Sequence, residues 1–145
     1  MTPTRPKPKE IENRQDIALL VTTFYAKIQK DPLLGPIFKS HIPEDKWPAH
    51  LEKLTDFWMT ALLGKACFKG NPGLAHQRVD QNLNYTVQQK HFGQWLNLWY
   101  ETIDHLYKGT LAKRAKDASR NMATRQYITI YNNRPPQYTQ SKMRA

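Results

Sequence analysis

Apolar side chains recur every three or four positions through most of this chain, and sustained strict alternation is nearly absent. That period lines one face of an α-helix and excludes a half-buried sheet as the main element. In "DKWPAHLEKLTDFWMTALLGK" (residues 45–65) the stripe is Trp47, Leu51, Leu54, Phe57, Trp58, Ala61 and Leu62. Asp45 is placed to cap this helix, and Pro48 in the first turn loses no intrahelical hydrogen bond. A helix over about residues 11–30 carries Ile17, Leu20, Val21, Phe24 and Ile28, and Pro32 stops it. Thr86 with Gln89 reads as a capping box. It precedes a stripe of Phe92, Trp95, Leu96, Trp99, Ile103 and Leu106 that ends at Lys108-Gly109. A last helix over about residues 111–131 uses Leu111, Ala115, Ala118, Met122, Tyr127 and Ile130. The segment "LAHQRVDQNLNY" is ambiguous, one or two short turns. The expectation is an all-α chain with four substantial helices and irregular joints.

At 145 residues the chain is one domain by size. Its net charge of +10 invites a nucleic-acid reading, so the location of the charge matters. Arg5, Lys7 and Lys9 fall in residues 1–9, and Arg134, Lys142 and Arg144 in residues 132–145, with no acid in either segment. Without these six, 16 basic side chains face 12 acidic ones in residues 10–131. Most of the excess belongs to segments too polar or proline-rich to bury a core, expected as flexible basic tails on either side of a 10–131 domain. Nucleic acid is not an expected partner. The only cysteine, Cys67, excludes an intramolecular disulfide and any cysteine-based zinc or iron–sulfur site. "MTPTRPKPKE" lacks the apolar stretch of a secretory signal, and no run is long enough to span a membrane. A cytoplasmic protein is expected.

Three polar-tipped side chains fall on the dry stripes of three helices: Tyr25, His50 and Trp95. Each taken alone is ordinarily a core residue that has found a hydrogen-bond partner. His76 stands apart in the ambiguous segment, while His91 and His105 read as helix-surface positions. There is no HExxH pattern and no phosphate-cradling glycine loop. What remains is one isolated histidine and three donors able to converge on a common space.

Four blocks, in order, carry a family resemblance: "FYAKIQKDPLLGPIF", "WPAHLEKLTDFWMTALLG" with its W-x-x-H opening, "GNPGLAH" as G-x-P-x-x-x-H, and "HFGQWLNLWYETID". From about Asp16 to Tyr131 the chain resembles the group III truncated haemoglobins, small bacterial globins with a two-over-two helical sandwich. The resemblance implies haem b as cofactor and His76 as the proximal iron ligand. It implies Tyr25, His50 and Trp95 as a distal polar cluster, Leu54 as its apolar neighbour and Phe38 as a packing partner of the porphyrin. Implied partners are O2, NO or other diatomic ligands, with a reductase not identified by the sequence; a monomer or weak dimer is expected. The implied activity is reversible ligand binding. The alternative is a haem enzyme on the same scaffold, an NO dioxygenase or a peroxide- or peroxynitrite-consuming protein. Asn84 departs from the family pattern, which often has proline there.

Overall fold

The structure is a computed structural model that describes residues 7–65 and 72–139. Six helices carry the described chain: α1 (Arg14–Lys30), α2 (Gly35–His41), α3 (Trp47–Leu63), α4 (Pro72–Asn82), α5 (Gln89–Leu106) and α6 (Thr110–Asn132). Two short strands, β1 (Lys9–Glu10) and β2 (Tyr107–Lys108), pair in parallel. α1 lies against α3 and α5, α5 against α6, and α4 chiefly against α6. Between them sits a core in which Ile17, Leu20, Val21, Phe24 and Ile28 of α1 are fully buried, the stripe expected from the spacing. Trp99 fills the centre, its ring stacked on Trp58 at 4.8 Å and on Trp95 at 5.5 Å. Among the described residues no helix is long and apolar enough to cross a membrane.

Helix boundaries depart from the sequence reading where local hydrogen bonding decides them. α1 starts at Arg14, not Ile11, because the Asn13 side chain accepts from the Asp16 N–H at 3.0 Å and caps it there. Ile11 is buried in the arm before the helix. Asp45 does not cap α3: Glu44–Lys46 is already wound as a 3-10 turn, and the Trp47 N–H bonds to the Glu44 carbonyl. The acidic pair Glu44 and Asp45 still lies beside the positive end of the helix dipole. The Thr86 and Gln89 box does not form either. The Thr86 hydroxyl is committed to the Leu83 carbonyl at 2.6 Å, and Gln88 caps α5, its N–H donating to His91 Nδ1 at 2.8 Å. The ambiguous segment is helix α4, so His76 stands on a regular element. Too few apolar residues mark it for the period to show.

α2 reaches α1 only because residue 35 is glycine. A Cβ there would stand 2.7 Å from the Gln29 carbonyl oxygen, a backbone atom that cannot swing away. Gly35→Ala is therefore expected to destabilise the fold by about 1–3 kcal/mol, as overpacking does. The readout is a lower denaturant midpoint at unchanged m-value; an unchanged midpoint would show that the α1–α2 corner yields freely.

Candidate functional site

α1, α2, α3 and α5 bring their polar-tipped and aromatic residues to one place. The Tyr25 ring lies 6.2 Å from the His50 imidazole, 5.8 Å from Phe38 and 5.9 Å from Trp47. Trp95 meets Phe24 edge-on at 4.9 Å, and Phe24 meets Tyr25 edge-on at 4.7 Å. An indole N–H can only donate, so Trp95 can serve this cluster only as a donor. Burial pushes the Tyr25 hydroxyl up to about 12, and the nearby Trp95 N–H opposes that only in part. Tyr25 is therefore a neutral donor at any physiological pH.

Asp31, just past α1, fixes how α5 lies beside it. One carboxylate oxygen accepts the Leu33 and Leu34 N–H groups, and the other accepts Gln94 Nε2 at 2.8 Å, one residue before Trp95. His50 is half-buried in the first turn of α3, in edge contact with Trp47 at 5.5 Å. Burial, and then the charge of Lys53, hold its imidazole below the ordinary histidine value, so it is neutral near pH 7. Leu54 lies one turn further along α3, partly buried against the core.

His76 sits on α4 with Nδ1 shut off from solvent and its ring 6.3 Å from Phe92. α5 links it to the other group, since Phe92 and Trp95 are three residues apart on one helix face. The structure thus brings Tyr25, His50, Phe38 and Trp95 into one cluster and places His76 at the neighbouring turn of α5. Trp47 and Phe92 belong to these surroundings although sequence reading gave them only packing positions; the W-x-x-H opening was the available signal for Trp47. Cys67 and Gly70 lie outside the described residues. Among the described residues no group of three or more His, Cys, Asp or Glu side chains is arranged to hold a bare metal ion.

Helices in this order, closing on a core of stacked tryptophans, form an all-α globin fold. No family model matches the chain. It is 33% identical over 113 residues to the group 3 truncated hemoglobin ctb of Campylobacter jejuni, covering 74% of this chain and 85% of that relative. The crystal structure of the group III truncated hemoglobin from Campylobacter jejuni superposes with a TM-score of 0.76 at 28% identity, over 88% of this chain and 98% of that one. The chain belongs to the group III truncated haemoglobins. Membership implies a haem cofactor.

Proposed function

We propose that this globin holds haem b through His76 and binds O2 and related diatomic ligands beneath Tyr25, Trp95 and His50. The observation that carries the reading is the convergence of Tyr25, Trp95 and His50, polar tips from three helices, on one aromatic cluster. The residues fit the group. One imidazole with a shielded nitrogen is too few ligands for a free cation, but it would suffice for iron that a porphyrin already holds. Phe38, Leu54 and Phe92 supply apolar surface near the two sides. Haem iron, when bound, takes up diatomic ligands and shifts partial negative charge onto them.

The chain's own residues answer that charge. Tyr25 gives its O–H toward the ligand from a ring held edge-on by Phe24 and Phe38. A hydrogen bond to a charged acceptor is worth about 1.5–3 kcal/mol, so a donor fixed in this way slows ligand escape. Trp95 offers its own indole N–H from α5. His50, at the looser start of α3, guards entry.

A pH dependence follows. The His50 pKa lies below its ordinary 6.5, so the fold favours the neutral form. That contribution is present above 6.5 and is lost as pH falls through the lowered value. An imidazolium leaves a dry cluster for solvent, so ligand association is expected to speed up several-fold toward about pH 5, the lower end of the histidine range. Stopped-flow association of CO with the ferrous protein reads this. His50→Leu is expected to be fast and flat with pH. A variant that keeps the parent's full pH profile would assign the effect to another group. Reversible O2 uptake by the ferrous protein, followed by its release rate, tests the function itself; rapid oxidation with no stable O2 spectrum would count against it.

A further inference from the structure

Asp80 and Arg134 form an ion pair almost closed to water, their side chains 2% and 6% exposed. The guanidinium grips the carboxylate with two prongs, Nε to Oδ2 at 2.9 Å and Nη2 to Oδ1 at 3.0 Å. Oδ1 also accepts the Val87 N–H at 3.1 Å, and Nη2 donates to the Val87 carbonyl. The main-chain carbonyl of Asp80 accepts the Leu83 and Tyr85 N–H groups at 3.1 and 2.8 Å. That turn holds Asn84 and Tyr85 at φ of +56° and +61°, a left-handed conformation that asparagine tolerates and tyrosine seldom adopts. Three distant parts of the chain meet here: the end of α4, the entry to α5 and the segment after α6.

Desolvation offsets most of the attraction in a buried ion pair, which makes it a poor source of net stability. A planar two-pronged contact instead fixes both distance and rotation. Rotation is what matters on α4. Asp80 follows His76 by four residues, one turn, so the two side chains share a face. Among the described residues α4 packs chiefly against α6, and the end of α6 is where Arg134 emerges. We propose that the Asp80–Arg134 pair is a positioning device for His76, locking the rotation of α4 and so setting how far the imidazole reaches toward haem iron. This rests on His76 being the ligand.

The iron–histidine stretch in resonance Raman spectra of the ferrous, ligand-free holoprotein reads the device directly. Arg134→Lys keeps the charge and loses the fork; Asp80→Asn keeps the shape and loses the charge. In both, the band is expected to shift and broaden. Haem transfer to excess apomyoglobin is expected to accelerate by about tenfold, the lower end of what outer supports of a metal ligand are worth. Lys113→Met, which removes the exposed pair with Asp117, is expected to leave both readouts unchanged. A band unmoved in both Asp80 and Arg134 variants, with unchanged haem transfer, would overturn the proposal even if the variants melt earlier. A parent protein with no iron–histidine band would instead refute His76 as ligand, and the positioning role with it.

Discussion

His76→Gly is expected to lower haem affinity by more than about 100-fold, beyond what removing an outer support of a metal ligand costs. Nδ1 of this histidine is shut off from solvent against α5, and it is the one histidine on α4. Removing the side chain leaves a cavity of imidazole shape. Added imidazole is expected to enter it and restore much of the bound-haem spectrum, whereas a variant that had merely unfolded would not respond. Haem binding also stabilises the folded chain by mass action, so the purified variant is expected to melt at the temperature of the apoprotein. Retention of haem with an unchanged iron–histidine band in His76→Gly would remove the assignment.

The second large effect concerns ligand release. Trp95→Phe and Tyr25→Phe are each expected to speed O2 dissociation by roughly tenfold, which corresponds to about 1.4 kcal/mol. Phenylalanine at 95 keeps the edge contact with Phe24, seen at 4.9 Å for the indole, but has no N–H to donate. The double variant is expected to fall well short of the hundredfold that independent sites would give, because both donors serve one ligand. Stopped-flow displacement of O2 by CO measures all three. Multiplicative rates would mean two separate donors, and unchanged rates in both single variants would contradict the distal cluster.

The parts of this molecule that rest on periodicity were legible in the sequence. α1, α3, α5 and α6 each bury a stripe spaced by three and four; Tyr25, His50 and Trp95 stood on such stripes as ordinary core positions, and only the ordered family blocks singled them out together. α4 was not legible: "LAHQRVDQNLNY" carries few apolar residues, and its order comes from Asp80 and from packing on α6. Local capping patterns misled where a side chain had a better partner nearby, as with Thr86 and the Leu83 carbonyl. The Asp80–Arg134 pair spans 54 residues, and no local pattern announces a contact of that separation. Arg134 was grouped with a basic tail, yet its side chain is among the most enclosed charged groups described. Lys9, at the edge of the other basic segment, pairs through β1 with Tyr107. Charge runs at chain ends report composition only; burial is decided by what the fold brings to them.

Whether a single haem is held between His76 and the pair of Tyr25 and Trp95 is tested most directly by optical titration of the apoprotein with haemin. A Soret band is expected to grow to saturation at one haem per chain, with tryptophan emission quenched along the same curve because Trp95 borders the site and Trp99 and Trp58 stack behind it. A Soret signal that rises without saturating, or saturates while tryptophan emission stays constant, would contradict it.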